Sequence, residues 1–327
     1  MRDYRLVDWA TQAYALFVGL LILLFHGEHV GQWPWLVAGH GVVVLLVHGL
    51  VRVHARGIGG WVVGFVREYY PILLFTAFYR ETGLVNEMFI RGYMDPVFMG
   101  WDAALFGFQP SLEWMDRWSG RLWSEVMYGC YFSYYFMIGG VGLALFFRNR
   151  SQFRHFVTVV AVAFYCCYFT YVILPVMGPR IFYQDGLKVS VLGGEERQHP
   201  RWGILEEDPP AYPEEVKQGF FYGLVAFLYR YFESEGAAFP SSHVALALVT
   251  LYFSWVYLPR IRWLHLVLAV GLCMGTVYCR FHYVVDVFGG ILTAGLLLPV
   301  ANRLYWKLGA GGSKAASAKR EGVSGTR

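Results

Sequence analysis

The sequence predicts an all-α fold, a polytopic membrane helix bundle, and three observations predict it. Hydrophobic residues make up 57% of the 327 positions and charged residues only 15%, too little charge to cover a soluble protein of this size. Apolar runs close to the roughly 20 residues that a helix needs to cross the hydrocarbon layer recur along almost the whole chain. Basic residues gather between alternate runs, which is how orientation in a membrane is encoded.

The candidate spans are Trp9–Phe25, Trp35–Val53, Trp61–Tyr79, Trp123–Phe147, Phe156–Leu174, Ser242–Leu258, Trp263–Cys279 and Val284–Tyr305. The first is followed by His26-Gly27-Glu28-His29, without a small-x-small cleavage pattern, and is read as a retained span. The third is the weakest, because Arg67, Glu68 and Pro71 interrupt it. An unpaired charge at mid-bilayer costs at least about 2.5–3.5 kcal/mol. Arg67 and Glu68 are therefore read either as an intramembrane pair or as a shallow start to the span.

Eight spans give a consistent orientation. Arg2 and Arg5, Arg52 and Arg56, Arg148, Arg150 and Arg154, Arg260 and Arg262, and the basic residues from Arg303 to Arg320 then share one side. The turn from His26 to Pro34, which has no Lys or Arg, falls on the other side with the two long connections of mixed charge, Arg80–Arg121 and Val176–Phe239. Removing the third span breaks the pattern. Both termini are expected inside, with the motifs described below on the external face.

The segments between spans carry less. Asp95 to Ser124 is too polar to cross, and Trp101, Trp114, Trp118 and Trp123 among its charges predict an interfacial amphipathic segment. Gly219 to Phe232 is too short to span and is expected to dock on the outer surface beside the site. An acidic, proline-containing loop from Glu195 to Glu215 has no readable role, and the tail from Gly309 reads as disordered and cytoplasmic. Cysteines 130, 166, 167, 273 and 279 show neither disulfide nor zinc spacing. His40, His48 and His54 form no i,i+4 ligand pair and read as packing or interface residues. The aromatic run Tyr128 to Phe136 reads as packing or as the lining of a lipid path.

Chemistry concentrates between Gly236 and Gly290, where two apolar runs form a hairpin that returns its ends to one side. His282 and Asp286 stand four apart, on one face of a helix, so that the carboxylate can fix the imidazole tautomer of a nucleophile. Pro240-Ser241-Ser242-His243 opens an apolar run and so marks a helix start, whose free amides and positive dipole end suit a phosphate. There Ser241 and Ser242 could add donors, and His243 could protonate a leaving oxygen. Arg180 and Arg280 lie at outer span ends, where a guanidinium matches phosphate geometry. Each piece has a plain structural explanation: a His–Asp pair, a serine N-cap, arginines snorkelling to headgroups. Their position on one face joins them.

Gly178-Pro179-Arg180, Pro240-Ser241-Ser242-His243 and Arg280-x-His282-x-x-x-Asp286, in that order, resemble the type 2 phosphatidic acid phosphatase superfamily. The usual family pattern is Lys-x6-Arg-Pro, Pro-Ser-Gly-His and Ser-Arg-x5-His-x3-Asp. Trp101-Asp102-x-x-Leu105-Phe106-Gly107 with Gln109-Pro110-Ser111 is similar to the bacterial branch related to inositol phosphorylceramide synthase. The chain departs from the pattern at Ile173 (lysine in the family), Pro179 (before the arginine instead of after it), Ser242 (glycine) and Thr276 (arginine, a role that falls to Arg280).

The resemblance, over roughly Asp95 to Ala301, implies a six-helix phosphatase-like core within residues 61–308, behind an accessory hairpin at 1–60. It implies His282 as the nucleophile that forms a phosphohistidine, Asp286 orienting it, His243 as acid and base, and Arg180, Arg280, Ser241 and Ser242 holding phosphate. No metal or other cofactor is implied. The partners expected are a membrane lipid substrate and the bilayer, with no nucleic acid, in a bacterial inner membrane. Three functions follow: a lipid phosphoester or pyrophosphate hydrolase, a phosphotransferase moving a phosphoryl-alcohol headgroup onto a ceramide- or diacylglycerol-like acceptor, or a non-enzymatic lipid-binding or transport protein.

Overall fold

Each apolar run becomes a helix. The computed structural model describes residues 3–28, 30–182, 189–190, 196–197, 212–232 and 234–324; most of the acidic loop from Glu195 to Glu215 lies outside them. The helices are α1 (Leu6–Phe25), α2 (Trp33–Ala55), α3 (Gly60–Val85), α4 (Asp95–Phe106), α5 (Pro110–Arg117), α6 (Arg121–Arg148), α7 (Arg150–Ile173), α8 (Pro179–Phe182), α9 (Glu214–Lys217), α10 (Phe220–Phe232), α11 (Ser242–Tyr257), α12 (Arg262–Tyr278) and α13 (Val284–Ser324). A two-residue antiparallel ladder, Val189–Ser190 with Glu196–Arg197, lies between α8 and α9.

The fold is an all-α polytopic helix bundle. Helices α1, α2, α6, α7 and α13 (over Val284–Leu308) are long and apolar enough to cross a membrane, while α11 and α12 are apolar but shorter. The remaining expected span, α3, has 26 residues and carries Arg67, Glu68, Arg80 and Glu81 along its length. The backbone of α13 stays helical past Gly309, where the composition predicts an irregular tail; Ala315, Ala316, Ala318 and the interspersed lysines are good helix formers.

Helix α7 is the hub. It packs against α1, α3, α6, α11 and α13, and its side chains from Phe153 to Val172 are mostly buried. Helix α2 is the opposite case: Trp35, Leu45 and Leu46 are exposed.

Arg67 and Glu68 are not paired with each other. Both nitrogens at the end of Arg67 bond the carboxylate of Asp8 in α1, and both residues are fully buried. Glu68 turns the other way, to Arg5 at 3.2 Å and Arg154 at 2.6 Å. Adjacent residues on a helix point about 100° apart, so one neighbour reaches the interior and the other reaches the end of the bundle. Helix α1 is thereby tied to α3, and Thr11 of α1 also meets the Tyr165 hydroxyl of α7 at 2.9 Å.

Helices α4 and α5 are the segment expected at the interface. The inner face of α4 buries Asp95, Phe98, Met99 and Asp102, and its outer face exposes Trp101, Leu105 and Phe106. At the start of α10 the amides of Phe220 and Phe221 are capped by the Glu125 carboxylate of α6, which ties α10 to the bundle at its N-terminal end.

Candidate active site

Helix α12 ends in a Schellman turn. Phe281 N–H bonds the Thr276 carbonyl at 3.0 Å and Arg280 N–H the Val277 carbonyl at 3.0 Å, with Arg280 at φ 62 where glycine is usual. This turn swings His282 back over the bundle end. Tyr283 N–H then donates to Asp286 Oδ2 at 2.9 Å as α13 begins, and the His282 Nδ1 edge lies 3.4 Å from the same oxygen.

The α11 start is built against that turn. Ser241 Oγ caps the helix by accepting from Val244 N–H at 3.3 Å, and Ser241 N–H donates to the Asp286 carbonyl at 3.1 Å. Tyr171 of α7 fastens the same corner, donating to the Pro240 carbonyl at 2.9 Å while its oxygen takes Ser242 N–H at 3.2 Å. A Cβ on Gly290 would come within 2.6 Å of the Ser241 carbonyl, so only glycine lets α13 approach this closely. The His243 ring thereby lies 5.7 Å from the His282 ring, centroid to centroid.

The third piece is the loop before α8. Val176 and Ala237 form a parallel bridge, and Gly178 sits at φ +90 where an added Cβ would meet the Phe281 carbonyl at 2.7 Å. Arg180 projects from there, its guanidinium over the Tyr229 ring at 4.8 Å and the Phe281 ring at 5.6 Å.

These elements enclose a small polar pocket of about 30 Å³, lined in part by Arg180, His243, His282, Ala238 and Tyr229. It adjoins a larger cavity of about 380 Å³ whose walls are mainly aromatic, including Phe75, Tyr134, Phe164 and Tyr168. Tyr79, Tyr229 and His243 line both. Of the four residues expected around phosphate, Arg180 lines the small pocket and Ser242 the larger cavity. Ser241 and Arg280 line neither. Arg280 bonds Asp116 of α5 at 3.2 Å and lies over the Tyr212 ring.

Burial pushes the His282 imidazole down to about 3, against a hydrogen bond from the ring to the Ala238 backbone that works the other way. The ring is therefore neutral at ordinary pH, with a free nitrogen lone pair. His243 Nε2 meets the Tyr131 hydroxyl at 3.0 Å, and its Nδ1 has no hydrogen-bond partner among the described residues. The Tyr131 hydroxyl also bonds that of Tyr229. Among the described residues no three His, Cys, Asp or Glu side chains converge as metal ligands.

The family model described as the PAP2 superfamily matches residues 98–300. The chain belongs to the PAP2 superfamily. The matched stretch runs from within α4 to within α13 and includes all seven candidate residues, and it supports a membrane protein of the phosphatase or phosphotransferase type. Neither the curated proteins nor the solved structures give a match.

The candidate site includes residues to which the sequence assigned no catalytic or phosphate-binding role. Asp95 and Asp102 reach it from α4, Tyr131 and Tyr229 from α6 and α10, and Tyr171 from α7. The two carboxylates carried a signal, acids in an otherwise aromatic interfacial segment. The tyrosines are three among 23 in the chain, and nothing local separates them from packing residues.

Proposed function

We propose that this PAP2-superfamily protein cleaves a phosphoester or pyrophosphate of a membrane lipid through a phosphohistidine on His282. The observation that carries the reading is that His243, His282 and Arg180 line one small polar pocket which adjoins an aromatic cavity. The phosphoryl group fits the first and an apolar chain the second. Arg180 draws charge from the phosphoryl oxygens. A lone pair of the neutral His282 ring attacks phosphorus, the bond to the leaving oxygen breaks, and His243, which takes up a proton as the phosphoryl anion binds beside it, gives that oxygen the proton. Asp286 supports the imidazolium that results. His243, now neutral, takes a proton from water as the water oxygen attacks phosphorus. The phosphorus–nitrogen bond then breaks, inorganic phosphate leaves, and His282 returns to its neutral form.

The side of the membrane follows from charge. Arg5, Glu68 and Arg154 interlock at one end of the bundle, and the site lies at the other. With basic segments inside, both termini face the cytoplasm and the pocket faces out.

Phosphate release by the purified protein in detergent tests the reading, with phosphatidic acid, lysophosphatidic acid and an isoprenyl pyrophosphate as substrates, with and without EDTA. Release is expected to survive EDTA, to fall to background in His282→Ala, and to fall by about 10²–10⁴-fold in His243→Ala. Release that persists in His282→Ala overturns the mechanism. Turnover that appears only when a ceramide- or diacylglycerol-like acceptor is supplied, with the headgroup recovered on that acceptor, replaces the hydrolase by the transferase.

A further inference from the structure

Two carboxylates from α4 are spent on the frame of the site. Asp95 accepts Met177 N–H and Gly178 N–H, each at 2.8 Å, and the Tyr283 hydroxyl at 2.9 Å. Asp102, about two turns further along α4 on the same buried face as Asp95, accepts Val284 N–H at 2.9 Å and Val285 N–H at 3.1 Å, the first amides of α13. The segment that Asp95 holds leads within two residues to Arg180, and the tyrosine that it holds adjoins His282. The same tyrosine gives its backbone N–H to Asp286.

We propose that Asp95 is a positioning residue for phosphoryl transfer, fixing the distance between the Arg180 loop and the His282 turn. This rests on the reading of His282 as the nucleophile and Arg180 as the phosphoryl ligand. Three donors converge on Asp95 from two separate loops, and a carboxylate has the acceptor capacity for all of them. Asparagine does not: its amide nitrogen would face one of the N–H groups, donor against donor. Asp95 is fully buried and no cation is bonded to it among the described residues, so the three donors offset the loss of hydration. Asp102 holds the adjoining helix start in the same way, and with Asp95 makes α4 a bracket across the site.

The bracket has a pH dependence. Burial, helped by the nearby Asp286 charge, raises the Asp95 carboxyl to about 7 against its three hydrogen-bond donors, which pull the other way. The titratable groups facing it are Tyr283 at the head of α13, Asp286 within α13, and Tyr93 just before α4. Protonation removes one of the acceptor positions and loosens one loop against the other. Activity is therefore half-maximal near pH 7, rises to its full value over about one further pH unit, and declines on the acid side.

The test compares wild type, Asp95→Asn, Tyr283→Phe and His282→Ala in the phosphate-release assay from pH 5 to 9. Inhibition by orthovanadate and thermal melting are followed in parallel. Asp95→Asn is expected to lower kcat/KM on the order of 10²-fold, the cost of a misplacement of about 1 Å, to weaken vanadate about tenfold, and to lose the limb near pH 7. Tyr283→Phe keeps the carboxylate but removes one donor to its anion, so its limb moves to higher pH. This second variant stands in where Asp95→Asn does not fold. A limb that stays in place in both variants, with vanadate inhibition unchanged, overturns the proposal. So does a loss of activity that tracks melting alone. Activity in His282→Ala overturns the underlying mechanism instead, and the two failures are distinguishable.

Discussion

His282 is held neutral by burial, and the same burial gives the folded protein a pH dependence of its own. Its folded pKa of about 3 lies below the ordinary value of 6.5. Between those values the unfolded chain binds the proton and the folded chain does not, so this residue's contribution to stability falls as pH drops from about 6.5 to 3. Asp95 has the opposite sign. Its folded pKa, near 7, lies above the ordinary 3.8, and its contribution falls as pH rises through that window. His282→Asn is expected to flatten the acid side of a melting-against-pH curve in detergent. An acid limb unchanged by the substitution means that the ring is not buried neutral.

Residue by residue, the chain disclosed some of this chemistry. Spacing puts His282 and Asp286 on one helix face; they do lie 3.4 Å apart, but only Asp286 is on α13, and His282 sits in the turn before it. Ser241 reads as an N-cap from its place before an apolar run, and its hydroxyl does cap α11. Arg280, at an outer span end two positions from His282, reads either as a phosphate ligand or as an arginine snorkelling to headgroups. Its positive φ and its bond to Asp116 decide the direction in which it points, and neither is encoded in local spacing.

Among the elements, α3 is where sequence and structure part. Arg67 and Glu68 stand side by side in the chain, yet their partners are 59 and 86 residues away along it. No periodicity reveals a contact of that range; it depends on how α1 and α7 pack. The buried Asp8–Arg67 pair, with the Tyr70 hydroxyl also on Asp8, is a staple between the N-terminal hairpin and the rest. Removing one partner strands a buried charge, at a cost of about 3–5 kcal/mol. Asp8→Leu is expected to lower the melting temperature sharply, and Asp8→Leu with Arg67→Met to recover most of the loss. Equal destabilisation by the single and double variants would mean that Asp8 acts through packing and not through the pair. The bracket helix α4 belongs at this scale too: its amphipathic character was readable, but the loops that its two acids hold were not.

At the scale of the whole molecule, the apolar runs and the alternation of basic segments specify a bundle with two unlike ends. One end is basic and locked by Arg5, Glu68 and Arg154. The other gathers the ends of α7, α11, α12 and α13 around two joined cavities. The proposed mechanism stands or falls on what forms at that second end. Its most direct measurement uses a substrate labelled in the transferable phosphate, with a rapid quench at alkaline pH, where phosphohistidine survives, and peptide mapping of the protein. The account predicts label on the peptide containing His282, formed and lost at rates that match turnover and absent from His282→Ala. Label on any other residue, or steady turnover in His282→Ala, would contradict it.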